Sequence, residues 1–207
     1  RSRAFCGKSI VMLFEKSSTR TRTAFELAMV DEGGHATMLG GSQLGSKESV
    51  EDTGRVLGRL YDGIQFRGSR QADVELLAAS AGVPVWNGLT DDFHPTQALA
   101  DVLTMRQATG LEPGMISVCF VGDGRNNVAR SLLVIGAQLG MDVRIAAPAE
   151  LHPDPSFLSR LEPIAAGSGA SLSVLEDPYE AVRDSAFVYT DVWVSMGEEA
   201  VAAERLS

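Results

Sequence analysis

The 207-residue chain is predicted to be an α/β protein with two doubly wound parallel-sheet lobes joined by a long helix, its active site in the cleft between the lobes. Three observations predict this class. Apolar runs of strand length recur along the whole chain; segments with apolar residues at helical spacing, about 10–15 residues long, separate them; and one helix with clear start and stop signals divides the runs into two groups.

The strand-like runs are 9–14, 36–39, 63–66 and 83–86 in the first half, then 116–121, 143–146, 172–175 and 187–190. Residues 23–32 (TAFELAMVDE) carry apolar side chains at helical spacing, which makes the hydroxyl-rich stretch before them the first turn of a helix. Residues 95–109 (PTQALADVLTMRQAT) begin with proline, permitted in a first turn, and stop at Gly110, ahead of Pro113 and Gly114. The predicted boundaries are a first lobe over 1–94, the joining helix over 95–110 and a second lobe over 111–207. Residues 40–47 (GGSQLGSK) have neither period and read as a surface loop; 165–173 is small and polar. Functional groups in such folds gather beyond the carboxyl ends of the strands, where Arg20, Arg67, His94, Asn127 and Asp191 all fall.

A hydrophobic content of 44% over this length suits one large domain or two small ones. The net charge of -9, from 18 basic and 27 acidic residues, argues against nucleic acid or an anionic membrane surface as a partner. No apolar run approaches the ~20 residues of a membrane span, and the N-terminus lacks a signal-peptide pattern, so a cytoplasmic enzyme is expected. Cys6 and Cys119 are far apart, and Cys119 sits in a strand-like run, as a buried reduced thiol would. His35, His94 and His152 are dispersed without metal-ligand spacing, so no metal site is expected.

The densest chemistry is Ser17-Ser18-Thr19-Arg20-Thr21-Arg22, where a strand hands over to a helix. A helix N-terminus carries unpaired N–H groups and partial positive charge, so Arg20 and Arg22 there call for a counter-charge. A phosphate or carboxylate, held by N–H groups, hydroxyls and a guanidinium, supplies it; the bland alternative is that Ser18 or Thr19 caps the helix while the arginines face water. His94 and Gln97 stand three residues apart, on one side of a helix start. Val121-Gly122-Asp123-Gly124 imitates the start of a dinucleotide fingerprint, but Asn127 occupies its third glycine position and the next strand ends at Ala146-Ala147 without an acidic ribose ligand.

Phe14-Glu15-Lys16 followed by Ser18-Thr19-Arg20-Thr21-Arg22 resembles the carbamoyl-phosphate motif of the aspartate and ornithine carbamoyltransferases. Further resemblances follow in order: Gly41-Ser42-Gln43 with Lys47-Glu48-Ser49, the segment from Asp62 to Gly68, His94-Pro95-Thr96-Gln97, the segment from Gly122 to Asn127, and Asp191-Val192-Trp193-Val194-Ser195-Met196-Gly197. The last group is similar to the ornithine branch.

The resemblance implies transfer of a carbamoyl group from carbamoyl phosphate to L-ornithine, with no cofactor. Ser18, Thr19, Arg20 and Thr21 would then bind phosphate oxygens, and Arg67 both phosphate and carbonyl oxygen. His94 would donate to the carbonyl oxygen and Gln97 accept from the carbamoyl NH₂. Asn127 and Asp191 would hold the amino acid's carboxylate and α-ammonium, with Ser195 and Met196 in a loop that closes over it. In the family the loop matching residues 40–47 reaches a neighbouring subunit's site, so Gln43 and Lys47 would be donated within a trimer; the loop here is shorter than the common form. The family continues with a His-Cys-Leu-Pro loop and terminal helices, and begins with a further helix, so the sequence is expected to be truncated at both ends. Another amine as acceptor, or a non-catalytic ligand-binding homologue, are the competing expectations.

Overall fold

The computed structural model describes residues 3–40 and 48–192. The chain forms two compact units, one ending at Asp92 and one starting at Phe93. The first runs β1 (Ser9–Phe14), α1 (Thr19–Asp31), β2 (His35–Gly40), α2 (Val50–Leu60), β3 (Gly63–Arg67), α3 (Gln71–Ala81) and β4 (Val85–Leu89). Its four strands are all parallel, in the order β2-β1-β3-β4.

Strand β1 is a continuous apolar run because both of its faces are covered, the usual state of a central parallel strand. Val11 and Leu13 pack with Val50, Leu57, Ile64, Phe66 and Leu77 on one side of the sheet. Ile10, Met12 and Phe14 pack with Met29 of α1 on the other. Strand order reverses between β1 and β3, so the carboxyl ends of these two strands form a switch point.

Strand β4 lies two residues later than the run at 83–86 predicts. Pro84 has no N–H to donate; its carbonyl accepts from Ile64 N–H at 2.9 Å, and residue-by-residue pairing begins only with Val85 opposite Ile64. The register then slips, with Phe66 opposite Asn87 and Arg67 opposite Leu89, leaving Gly88 as the extra residue.

The second unit runs α4 (Pro95–Thr109), β5 (Ser117–Val121), α5 (Asn127–Leu139), β6 (Asp142–Ala146), α6 (Pro155–Ser168), β7 (Ser171–Leu175), α7 (Pro178–Ala181) and β8 (Phe187–Tyr189). Its parallel sheet has the order β7-β6-β5-β8, with the reversal between β5 and β8. Val118, Phe120, Leu132, Leu133, Val143, Ile145, Phe157 and Leu161 fill the core, joined by Ala98, Val102 and Met105 of α4. The expected parallel-sheet α/β class, with four strands on each side of the 95–109 helix, is thus what the chain adopts.

The small, polar stretch at 165–173 finishes α6 and starts β7. Ala165 is buried in the core, and the Ser168 hydroxyl donates to the Ala137 carbonyl of α5, so tertiary contacts override weak local propensity. Cys6 is exposed and Cys119 fully buried, and both are free thiols; burial pushes the Cys119 thiol above its ordinary range. No described helix is long and apolar enough to cross a membrane.

Candidate active site

In the first unit, the site grows from the switch point. Glu15 follows β1 and Arg67 closes β3; Glu15 N–H donates to the Arg67 carbonyl at 2.9 Å, and the Glu15 carboxylate accepts from Ser69 N–H at 2.9 Å. Gly68 permits this lacing, because a Cβ there would lie 2.3 Å from Glu15 Oε2 and 2.4 Å from the Phe66 ring. So braced, Arg67 extends to the first turn of α1 and donates from Nη1 to Thr21 Oγ1 at 2.9 Å.

Ser18 is the N-cap of α1: its hydroxyl oxygen accepts from Thr21 N–H at 3.3 Å. The capping alternative therefore holds for Ser18, whose own O–H remains able to donate. Thr19 and Arg20 occupy the first helical positions, where no carbonyl four residues back can reach their N–H groups. Two guanidinium groups share this turn. Burial first, and then the positive charge of Arg20, hold Arg67 below the usual arginine range. Arg67 Nε is buried without a hydrogen-bond partner among the described residues. A half-buried guanidinium beside the like charge of exposed Arg20, with its Nε donor unused, fits a dianion that would satisfy both.

Arg22 differs from expectation. Its Nε donates to Glu26 Oε1 at 2.9 Å, one turn along the same helix, so its counter-charge is internal and it faces solvent. That leaves Arg20 as the candidate anion-binding arginine of α1. Arg20→Ala is expected to weaken inorganic phosphate binding about ten- to a hundredfold, the usual worth of a charge-assisted hydrogen bond, read by calorimetric titration.

In the second unit, His94 is the N-cap residue of α4, and its backbone N–H donates to Ser131 Oγ at 2.7 Å. The Ser131 hydroxyl donates in turn to the Asn127 carbonyl at 2.6 Å. One buried serine therefore ties His94 to the first turn of α5. Asn126, not Asn127, caps that helix, its side-chain oxygen accepting from Ala129 N–H at 2.8 Å, and Asn127 is the first helical residue.

Gln97 Nε2 donates to Asp101 Oδ1 at 2.9 Å, one turn along α4. Tyr189 of β8 lies against the same carboxylate; burial and that negative charge push its hydroxyl well above the ordinary tyrosine range. Asp191, two residues on, lines a cavity of about 390 Å³ at the carboxyl ends of the strands, with Asp123, Glu176, Thr190 and the apolar Val121, Leu151 and Pro178. Its lining includes none of His94, Gln97 or Asn127. Arg125 already neutralises Asp123, with Nη2 at 2.7 Å from Oδ2, so Asp191 and Glu176 are the lining carboxylates that suit a cationic ligand group in this largely apolar cavity. Gln43, Lys47, Ser195 and Met196 lie outside the described residues.

Glu15, Asp101, Ser131 and Tyr189 belong to these networks and had no role read from sequence. Two signals were available: Asp101 stands four residues after Gln97, and Ser131 interrupts the apolar run of α5. Among the described residues, no group of three or more His, Cys, Asp or Glu side chains could hold a metal ion.

Fold and site together define a class: an α/β protein of two parallel-sheet units, with a cationic helix-start turn at the first unit's switch point. Comparison with known proteins agrees. The family description "Aspartate/ornithine carbamoyltransferase, carbamoyl-P binding domain" matches residues 1–107, and "Aspartate/ornithine carbamoyltransferase, Asp/Orn binding domain" matches 115–207. The ornithine carbamoyltransferase of Cutibacterium acnes is 58% identical over 194 residues, covering 93% of this chain and 58% of that protein. The catabolic ornithine carbamoyltransferase of Chromobacterium violaceum is 55% identical over 204 residues, covering 97% and 61%. The solved ornithine carbamoyltransferase of Pyrococcus furiosus superposes with a TM-score of 0.91 at 48% identity, covering 99% of this chain and 65% of that one. This chain thus spans about three-fifths of the length of the curated relatives it matches. It belongs to the aspartate/ornithine carbamoyltransferase family.

Proposed function

We propose that the protein transfers the carbamoyl group of carbamoyl phosphate to the δ-amine of L-ornithine, giving L-citrulline and phosphate. The observation that carries this is the paired Arg20 and Arg67 at the start of α1, with the buried, unused Arg67 Nε. Relatives named ornithine carbamoyltransferase, at 55–58% identity, supply the acceptor.

In this reading the first lobe, residues 1–94, holds the phosphate dianion through Ser18, Thr19, Arg20, Thr21 and Arg67. Charge grows on the carbonyl oxygen as the amine lone pair attacks the carbamoyl carbon. Arg67 and His94 donate to that oxygen, where preorganised donors lower the barrier most effectively. Gln97 accepts from the carbamoyl NH₂. The bond from carbon to the phosphate oxygen then breaks, phosphate leaves with the electron pair, and the former amine gives up a proton. The second lobe, residues 111–207, supplies Asn127 for the acceptor's carboxylate and Asp191 for its α-ammonium. Gln43, Lys47, Ser195 and Met196 complete the binding residues, and the working form is a homotrimer in the cytoplasm.

The test is a product assay on the full-length protein with carbamoyl phosphate and alternative acceptors. L-Ornithine is expected to be preferred over putrescine and aspartate. Only the neutral amine attacks, so the rate should rise about tenfold per pH unit while the δ-amine is mainly protonated. Preferential carbamoylation of putrescine or aspartate would reject the acceptor assignment.

A further inference from the structure

A glutamine side chain is ambiguous as a recognition group. Its amide ends are nearly the same shape, yet one accepts and the other donates, and either can face a ligand. Gln97 can accept a hydrogen bond from a carbamoyl NH₂ only if something fixes its Oε1 outward. Asp101 is built to do so.

An ionised carboxylate accepts and cannot donate, so Asp101 Oδ1 selects the NH₂ end of Gln97, which it holds at 2.9 Å. Asp101 is not a solvated surface partner. Its Oδ2 is out of contact with solvent, and it stands beside Ala98 and Val102, both buried in the second unit's core. Tyr189, fixed edge-on against Phe120 with ring centroids 5.6 Å apart, presents its hydroxyl to the same carboxylate. Burial raises the Asp101 carboxyl, while the hydrogen bond from Gln97 and the nearby Tyr189 hydroxyl favour the charged form; Oδ2 itself has no hydrogen-bond partner among the described residues.

We infer that Asp101 is a positioning residue for carbamoyl transfer: by binding Gln97 Nε2 it turns Gln97 Oε1 toward the NH₂ of the carbamoyl group. This rests on the carbamoyl-transfer reading above. Asp101 touches no reacting atom; it acts through Gln97.

The test compares wild type, Asp101→Asn, Gln97→Ala and the double variant in the full-length protein. Asparagine keeps the shape but can donate to Gln97 Oε1, turning the amide the wrong way. Asp101→Asn alone is expected to lower kcat about ten- to a hundredfold, the range for one charge-assisted hydrogen bond, with KM for ornithine and inorganic phosphate affinity unchanged. In the Gln97→Ala background the same substitution should do nothing further, because residues acting as a unit are not additive. Full activity in Asp101→Asn, or an equal loss in both backgrounds, would overturn the inference. Should Asp101→Asn fail to fold, hydrogen exchange of the Gln97 side-chain NH₂ in wild type decides: slowed exchange supports the clamp, and exchange as fast as a free amide overturns it. Absence of citrulline formation by wild type would instead reject the carbamoyl-transfer reading, and is seen before any variant is compared.

Discussion

Replacing Arg67 with alanine is expected to lower kcat/KM for carbamoyl phosphate by about two to three orders of magnitude, the usual loss when a preorganised donor to a developing oxyanion is removed. The same variant should fold as well as wild type or better. In the free protein Arg67 is a burden, since its guanidinium is partly desolvated, faces the like charge of Arg20, and leaves Nε buried without a partner among the described residues. Among the described residues, what its side chain gains in return is the hydrogen bond to Thr21. A side chain that costs the free protein and gains from an anion should separate activity from stability, as strained functional groups do. Arg67→Lys should not restore the rate, because an ammonium keeps the charge but loses the planar fork that spans two oxygens. Steady-state kinetics and a thermal melt, run together, check this. A melting temperature that falls while phosphate affinity is kept would make Arg67 a structural arginine.

The second large effect is on folding. Helices α2 and α3 pack at very close range through Gly58, where an added Cβ would lie 1.8 Å from the Ala81 carbonyl oxygen. That atom is backbone, so no rotamer change relieves the clash. Gly58→Ala is expected to cost about 3 kcal/mol or more, the upper part of the range for overpacking, even after the better helix propensity of alanine is credited. In thermal unfolding this corresponds to a fall of about 6–12 °C for a chain of this size. Gly167→Ala is the control. Gly167 lies on the exposed side of α6 with nothing within 4 Å of its added Cβ, so that change should raise stability by about 0.4–1 kcal/mol. Equal melting temperatures for the two variants would refute the close-packing account of α2 and α3.

The strands were legible because central parallel strands are apolar on both faces, and β1 and β5 read as unbroken runs. Helix α4 was legible to the residue, since Pro95 and Gly110 act through the local backbone alone. Strand β4 was misread by two residues because ladder register depends on the partner strand, and Pro84 looks apolar in sequence while contributing only a carbonyl. The helix start at Ser18 and Thr19 could be read, since the hydroxyl cap and the charge conflict beside it are local matters. Arg22 was misread within the same motif: its partner Glu26 lies four residues on, which attention to the motif alone overlooks. Ser131 joins His94 to Asn127, and Tyr189 meets Asp101, across elements 37 and 88 residues apart in sequence. Such contacts exist only once the fold has brought the elements together, so sequence spacing carries no trace of them.

The central claim is that the start of α1 and the end of β3 form the site for the phosphate end of the donor. Titration of the ¹⁵N-labelled protein with carbamoyl phosphate tests it most directly, followed by nuclear magnetic resonance at the backbone amides and the arginine Nε groups. Saturable shifts are predicted at the amides of Thr19, Arg20 and Thr21 and at Arg67 Nε, with a single dissociation constant shared by all four signals and lost in Arg20→Ala. Binding that leaves those four signals unmoved, or that shifts them identically in Arg20→Ala, would contradict the account.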